Sequence, residues 1–302
     1  MTTPRGTVSY DRGVSEATQW RLALAERIGA SYASDDNAQV VMIAGSVARG
    51  SADRYSDIEI DVYYADPPSE TERIAAVKRC GGTVELLAQD EDEWEERMSV
   101  DGIHAHTSTF LVATMEQYLR QVVDECALAP EVQTRLFSLQ HGITLKGDKQ
   151  VERWRAKAAA YPNGLQRAML EENLRFGRFA YAAEMLAARD DLLALYEIFV
   201  ETGRQLIAGL LGLNRIYLPT PGYLKSMDET IGLMAIKPEG LSARLKRSYQ
   251  VEPTTAVREL WELIEETLAL VERHVPNFDT TPYRADFGSR RSIYDTPPAA
   301  PK

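Results

Sequence analysis

Two strand-like segments joined by a short polar loop constrain the fold of this chain more than any other feature. Residues 38–45, AQVVMIAG, form an apolar run that ends in glycine, which is typical of a buried strand. Residues 57–64, DIEIDVYY, alternate acidic and apolar side chains with a period of two. Because side chains two apart on a strand share a face, Asp57, Glu59 and Asp61 are predicted to lie together, with the intervening apolar residues in a core. The sequence therefore predicts a sheet with an acidic face beside a glycine-containing loop.

The acidic face has the spacing and the chemistry of a metal site. Neighbouring side chains on one face of a strand are about 6.6 Å apart along the chain. That span can bracket two divalent ions about 3.5–4 Å apart, the geometry used in in-line phosphoryl displacement. Carboxylate oxygens, phosphate oxygens and water are the ligands that Mg²⁺ prefers. Asp57, Glu59 and Asp61 are thus suited to holding magnesium against a phosphate.

The loop between the two strands supplies groups suited to the phosphate itself. Gly45 has no Cβ, so its backbone can approach a phosphate closely. Ser46, Arg49 and Ser51 could each donate a hydrogen bond to it, and the bond from Arg49 would be charge-assisted. The loop and the acidic face together predict a metal-dependent nucleotide site.

The same residues resemble the signature of a known superfamily. GSVARG, residues 45–50, followed by SDIEIDV, residues 56–62, is similar to the signature of the polymerase-β-like nucleotidyltransferases. The similarity is greatest to the bacterial branch that includes the aminoglycoside and lincosamide nucleotidyltransferases and the small MNT-type enzymes. The detailed resemblance covers residues 38–66, and a weaker similarity of strand and helix order extends through residue 120.

The resemblance implies a fold, a reaction and a set of roles. It implies a mixed sheet that binds a magnesium–nucleoside triphosphate, with Gly45 and Ser46 on the triphosphate and Asp57 and Glu59 as metal ligands. The implied reaction is attack of an acceptor hydroxyl on the α-phosphorus, with pyrophosphate as the leaving group. The family often adds a helical C-terminal domain that covers the cleft and contacts the acceptor.

The general base of such a reaction has more than one candidate. The family usually places a third carboxylate on a strand after the paired acids. Glu85 lies in the strand-like segment TVELL, with apolar residues on both sides. The next segment predicted to be a strand, GIHAHTSTF, has no carboxylate but carries His104 and His106 on one face. A neutral imidazole suits proton abstraction near neutral pH, so Glu85, His104 and His106 all remain candidates. The acidic segment between these two strands, EDEWEERM, is interpreted as a charged surface connection.

The fold class predicted for the whole chain is α/β (α+β), with an N-terminal mixed-sheet domain followed by an all-helical domain. Residues 1–118 are assigned to the mixed-sheet nucleotidyltransferase domain, and 119–275 to a helical domain that covers the substrate. Residues 276–302, rich in Pro, Arg and Asp, are predicted to be a loose tail. Lys225 follows a proline-rich turn in the helical domain, from which it could reach a phosphate.

The charge and composition exclude several classes of protein. Lys and Arg total 34 against 45 Asp and Glu, which gives a formal net charge of −11. A surface this acidic repels phosphate backbones and argues against a nucleic-acid partner. The first residues, MTTPRGTVSYDRG, have no apolar core and are not expected to act as a signal peptide, and no apolar run approaches the about 20 residues of a membrane helix, so a cytoplasmic protein without a membrane partner is expected. The two cysteines have no CxxC spacing and predict neither a disulfide framework nor a structural zinc site.

These observations favour an enzyme that transfers a nucleoside monophosphate, AMP from ATP as the first choice, to a hydroxyl of a small molecule. The acidic charge suits a cationic acceptor such as an aminoglycoside. ATP would be the co-substrate, two Mg²⁺ ions the cofactor, and a homodimer the expected form if clefts are shared. Two alternatives stay open: transfer of AMP to a protein partner, as in an antitoxin, and a degenerate, non-catalytic nucleotide-binding protein.

Overall fold

A computed structural model describes residues 15–91, 93–222 and 224–293. The chain divides into two compact units. The first unit comprises the described residues up to Leu119 together with Ser138–Ala159, and the second comprises Arg120–Phe137 and the described residues from Ala160 onward. The first unit therefore extends beyond residue 118, where the sequence predicted its end.

The first unit is built around strands. In chain order its elements up to Leu119 are α1 (Glu16–Ala33), β1 (Ala38–Ile43), α2 (Gly45–Ala48), β2 (Ile58–Tyr64), α3 (Glu70–Arg79), β3 (Thr83–Asp90), β4 (Glu93–Val100), β5 (Ile103–Leu111) and α4 (Val112–Leu119). A π-helical turn (Arg120–Asp124) and α5 (Pro130–His141) follow, and α5 runs from the second unit into the first. The first unit then ends with β6 (Ile143–Lys146) and α6 (Asp148–Ala158).

The six strands form one mixed sheet in the order β3-β4-β5-β2-β1-β6. β2 pairs with β5 in parallel, and the other pairs are antiparallel. The prediction of a mixed sheet is confirmed. Since β2 lies between β1 and β5, the acidic strand is central, and its side chains are flanked by those of β5.

The two faces of this sheet differ in chemistry. Ile58, Ile60 and Val62 point from β2 into a core that also contains residues of α1 and α3. We call this side the buried face. On the opposite side, β2, β5 and β4 carry a group of polar side chains, Glu59, Asp61, Glu95, His106 and Ser108, which we call the polar face. The period-two alternation of residues 57–64 thus produces the segregation that the sequence predicted.

Local signals explain where the flanking helices begin. Ser69 accepts a hydrogen bond from Glu72 N, and the Glu72 carboxylate accepts one in return from Ser69 N, which is a capping box at the start of α3. Ser15 caps α1 in the same way by accepting from Thr18 N. Each cap satisfies backbone donors that a helix leaves open at its first turn.

The second unit contains only helices within the residues that the structure describes. They are α7 (Asn163–Asn173), α8 (Gly177–Ala188), α9 (Leu192–Asn214), α10 (Met227–Gly232), α11 (Leu241–Arg247), α12 (Pro253–His274) and α13 (Thr281–Gly288), in addition to the first part of α5. This agrees with the predicted helical character of the C-terminal part of the chain. No described helix combines the length and the apolar character that a membrane crossing requires.

Three segments differ from their predicted structure. The acidic segment interpreted as a surface connection is strand β4, and its Trp94 is buried. β6 lies inside the segment 119–275 that was predicted to be all helical; it has only four residues and pairs with the edge of β1. The predicted loose tail contains α13, whose Phe287 is buried, while residues 294–302 lie outside the described residues. For β6 and α13 the partner is distant in the chain: β6 pairs with β1, and Phe287 packs on Phe176.

Candidate functional site

The strand register places the polar face in two rows. In the first row Glu59 of β2 is opposite His106 of β5. In the second row Asp61 is opposite Ser108, and Ser108 is in turn opposite Glu95 of β4. Neighbouring strands are about 4.7–4.9 Å apart, so side chains in one row are within reach of one another. The sheet therefore gathers three carboxylates and an imidazole on two adjacent rows.

Gly45 and Glu59 meet directly at this face. Gly45 begins α2 with φ +63°, a left-handed conformation that favours glycine. A Cβ placed on it would lie 2.0 Å from Glu59 Oε2 and 2.5 Å from Glu59 Cδ. Ala44 N also donates to Glu59 O at 2.9 Å, which fixes the strand against the start of the loop. The absence of a side chain at Gly45 is what allows the glutamate to lie against the loop backbone.

The predicted phosphate-binding residues lie in α2 and in the loop that follows it. Ser46 and Arg49 are half-buried and Ser51 is exposed. Ser51 N donates to Ser46 O at 2.9 Å, and Arg49 N donates to Gly45 O at 3.3 Å, so backbone hydrogen bonds close this segment upon itself. Gly45, Ser46, Arg49 and Ser51 thus form one closed segment, and Gly45 is its point of contact with Glu59.

Asp57 and Asp61 have different environments on either side of Glu59. Asp57 is exposed and stands one residue before β2. Asp61 is only 4% exposed, and its Oδ2 accepts a hydrogen bond from Ser138 Oγ at 2.7 Å. Asp57 and Glu59 are therefore the acids of this strand that an incoming ligand can reach, while Asp61 is tied to the end of α5.

The three candidate bases lie in two contacting pairs, one formed by His104 and Glu85 and the other by His106 and Glu95. His104 Nδ1 lies 3.1 Å from Glu85 Oε2, and the His104 side chain is 76% exposed. His106 Nε2 lies 3.3 Å from Glu95 Oε1, and both side chains are about one-third exposed, at 34% and 30%. Only His106 is paired in register with Glu59, whereas Glu85 belongs to the edge strand β3. Among the three candidates, His106 is thus the one that lies opposite Glu59 in the sheet.

Glu95 is a site residue that the sequence interpretation missed. It was assigned to a surface connection because Glu96, at a position of the strand that faces the core, interrupts the alternation of EWEERMSV. A signal was present: Trp94, Met98 and Val100 are spaced by two and four residues, as expected for one buried face of a strand.

The donor set fits magnesium bound through few protein ligands. No group of three or more His, Cys, Asp or Glu side chains in the described residues is arranged to hold a metal ion. Magnesium, however, usually keeps several waters and is bound by one or two carboxylates together with substrate phosphates. Asp57 is exposed, Glu59 is half-buried, and the Glu59 carboxylate lies against the loop backbone at Gly45, so the residues present fit that mode.

Lys225 belongs to the second unit and is exposed in the segment before α10. Its proposed contact with phosphate remains a prediction.

The chain is similar to a family model over part of its length and to a solved structure at low identity. A family model described as a domain of unknown function, DUF4037, matches residues 131–224, which is less than half of the chain and does not include the Gly45 loop or β2. A search of curated proteins gives no significant match. Among solved structures, the chain is similar to a nucleotidyltransferase-like protein from Exiguobacterium sibiricum 255-15, with 10% identity and a TM-score of 0.39 over 84% of this chain and 78% of that one.

Proposed function

We propose that the chain is a magnesium-dependent nucleotidyltransferase that moves a nucleoside monophosphate, AMP from ATP, to a hydroxyl of a small molecule. The observation that carries this proposal is the contact between Gly45 and the Glu59 carboxylate. It joins the loop suited to phosphate and the strand suited to metal into one site. The resemblance of GSVARG and SDIEIDV to nucleotidyltransferases supports the same reaction.

Each residue of the site has a role that follows from its position. Asp57 and Glu59 would hold Mg²⁺, which when bound neutralises phosphate charge and orients the triphosphate. The backbone at Gly45 and the side chains of Ser46, Arg49 and Ser51 would hold the phosphate oxygens by hydrogen bonds. Such contacts would leave the α-phosphorus accessible to an acceptor hydroxyl.

The proton of the acceptor needs a base, and His106 is the best placed of the candidates. A bond forms between the acceptor oxygen and the α-phosphorus, the bond to the pyrophosphate oxygen breaks, and the hydroxyl proton passes to His106 Nδ1, because Nε2 faces Glu95. Glu95, 3.3 Å from His106 Nε2, would orient the ring and stabilise the imidazolium that forms. His104, mostly exposed and paired with Glu85, is left outside this step.

The acceptor proposed is cationic. With a formal net charge of −11, the chain attracts a polyamine such as an aminoglycoside and repels nucleic acid. A cytoplasmic location remains a part of this proposal that rests on the sequence alone, and the oligomeric state is left open.

Calorimetric titration of Mg–ATP, followed by an assay of pyrophosphate release with aminoglycoside acceptors, tests the proposal. Wild type should bind Mg–ATP and lose that binding when magnesium is removed. Asp57→Asn/Glu59→Gln should lose both binding and turnover. Asp66→Asn is the matched control, because Asp66 is exposed at the other end of the same strand and should behave as wild type.

The possible results separate the assignments. A folded wild type that binds no nucleoside triphosphate overturns the proposal. Binding that survives the double substitution removes Asp57 and Glu59 as metal ligands. Tight binding without turnover on any acceptor favours the non-catalytic nucleotide-binding alternative, which is consistent with the lack of a three-residue metal cluster in the described part of the chain.

A further inference from the structure

The loop between α2 and β2 exposes an aromatic side chain close in the chain to Asp57. Tyr55 is 78% exposed, more than the other exposed aromatic residues Trp20 (40%), Tyr181 (51%) and Tyr249 (43%). It stands two residues before Asp57, at the start of the acidic strand. Single exposed aromatic residues are common on protein surfaces, so exposure alone does not indicate a binding role.

The backbone around Tyr55 is fixed on both sides. Asp53 Oδ1 accepts from Tyr55 N at 2.9 Å and from Ser56 Oγ at 3.1 Å, and Ser56 Oγ accepts from Asp53 N at 3.0 Å. These hydrogen bonds to the carboxylate lower the pKa of Asp53, which keeps it ionised and bonded. Hydrogen bonds within the loop therefore hold the backbone on both sides of Tyr55.

Helix α1 holds the same loop from outside. Arg21 Nε donates to Ser56 O at 2.8 Å, and Ser15 Oγ donates to Ala52 O at 3.0 Å. Because hydrogen bonds hold the backbone on both sides of Tyr55, little backbone entropy is lost when a ligand packs on the ring. An aromatic residue presented on an ordered loop is pre-organised for contact in a way that a mobile surface side chain is not.

Arg54 completes the chemistry of this surface. Its guanidinium carbon lies 4.6 Å from the centroid of the Tyr55 ring. An arginine on an aromatic ring combines a flat stacking surface with a fixed positive charge. Nucleotides carry the complementary pair of features, a flat base and an anionic phosphate.

We propose that Tyr55 is the platform on which the base of the nucleoside triphosphate stacks, with Arg54 supporting the ring and facing the phosphates. This inference rests on the proposed function, because the triphosphate is taken to lie at Gly45 and Asp57. Every base has a π-face, so stacking of this kind tolerates all of them. The site should consequently bind purine and pyrimidine triphosphates without reading their edges.

Binding of three probes distinguishes a base platform from a general effect on the loop. The probes are Mg–ATP, Mg–UTP and magnesium tripolyphosphate, which has no base. Tyr55→Ala should weaken both nucleotides, by about tenfold for ATP, since base–aromatic stacking supplies that order of affinity. It should leave the affinity for tripolyphosphate unchanged. Tyr55→Phe keeps the ring and should bind all three probes as wild type does.

Tyr181→Ala is the matched control. Tyr181 is also an exposed tyrosine with an arginine over its ring, Arg291 at 5.4 Å, but it lies on α8 in the second unit. Its replacement should change none of the three affinities. Equal losses in Tyr55→Ala and Tyr181→Ala would contradict a specific platform.

The remaining outcomes tell the two proposals apart. If wild type binds Mg–ATP, Asp57→Asn/Glu59→Gln loses it and Tyr55→Ala keeps it, only the platform is wrong. If Tyr55→Ala weakens tripolyphosphate as much as ATP, the tyrosine acts through the loop and the platform is again overturned. If wild type binds none of the probes, the proposed function fails and the platform fails with it.

Discussion

Glu95 and Glu96 are neighbours on β4, yet the sheet places them in opposite environments. Glu96 points to the buried face, where its side chain is fully shielded and contacts Arg73 Nε, while Thr109 Oγ1 donates to Glu96 Oε2 at 3.2 Å. Glu95 points to the polar face, about one-third exposed and beside His106. A glutamate on β4 is therefore part of the core when it points to the buried face, as Glu96 does, and remains accessible to solvent when it points to the polar face, as Glu95 does.

The difference indicates which acids of this chain serve the fold and which are available to a ligand. Arg73 contacts the Glu96 carboxylate and also donates to Ala88 O and Glu95 O, each at 2.9 Å, so it joins α3 to β3 and β4. A buried ion pair that is also fully hydrogen-bonded is a structural group. Asp57 is exposed and Glu59 is half-buried beside the Gly45 loop, so these two acids are available to a ligand that carries positive charge or brings a metal ion.

The largest expected effect comes from breaking the buried pair. Arg73→Met should lower the free energy of unfolding by about 3–5 kcal/mol, because it leaves the Glu96 carboxylate buried without its partner. Denaturant unfolding measured by circular dichroism would give this value.

Arg73→Met/Glu96→Met is the control for that experiment. Replacement of both members of a buried pair by apolar residues of similar size is often close to neutral. The double variant should recover most of the lost stability. A loss below about 1 kcal/mol in Arg73→Met would mean that the pair behaves like an exposed surface ion pair.

The next effect belongs to the polar face and concerns catalysis. His106→Ala should lower pyrophosphate release by at least about a hundredfold, the usual contribution of a general base. His104→Ala, which removes the more exposed histidine of the same strand, should change it little. Steady-state turnover of both variants at saturating Mg–ATP is the measurement. Equal losses, or a larger loss in His104→Ala, would contradict the assignment of His106 as the base.

This contrast also shows how much of the fold could be predicted from sequence. The alternation of residues 57–64 and the apolar run before Gly45 are local patterns, and both strands were predicted correctly. β4 was missed because Glu96 occupies a core position, which is tolerable only through Arg73, 23 residues earlier in the chain. β6 was missed because a segment of four residues carries almost no periodicity of its own.

The candidate site also combines residues that local sequence patterns predict with contacts that they do not. Asp57, Glu59, Gly45 and Ser46 were predicted as site residues from spacing and resemblance, but nothing local could show that Gly45 lies against the Glu59 carboxylate. The pairing of His106 with Glu95 depends on the register of β4 against β5, which the sequence does not specify. Contacts between strands that are distant in the chain are thus the part that only the structure supplies.

A matched pair of glycines tests whether the Gly45 contact is functional. Gly45 and Gly50 both have positive φ, +63° and +75°, but a Cβ on Gly50 would meet no atom within 4 Å. Alanine at either position should lower stability by about 1–2 kcal/mol through backbone strain. Only Gly45→Ala should also displace the Glu59 carboxylate and abolish binding of Mg–ATP.

Unfolding in denaturant and calorimetric titration of the two alanine variants would separate strain from function. If Gly50→Ala loses nucleotide binding as fully as Gly45→Ala, the loop conformation matters and the contact with Glu59 does not. If Gly45→Ala binds Mg–ATP normally, the contact between Gly45 and Glu59 is not needed for nucleotide binding and no longer supports the proposed function.

The smallest expected effect is a pH dependence of the free energy of unfolding that arises from Glu96 on the buried face. Burial raises the pKa of Glu96 above its ordinary value of 4.5, and the nearby Arg73 offsets this only in part. Between the ordinary and the raised pKa the folded state therefore binds more protons than the unfolded state. The stability that Glu96 contributes is fully present below pH 4.5 and is lost as pH rises through the folded-state pKa.

Glu96→Gln isolates this effect, because glutamine resembles the protonated acid in shape and charge. Free energies of unfolding for wild type and Glu96→Gln should be compared at a series of pH values from 4.5 upward. The stability of wild type relative to the variant should fall as pH rises and then level off. A difference that rises with pH would mean that Arg73 outweighs burial and that the carboxylate is held ionised, which would make the buried face more like the polar face than the structure indicates.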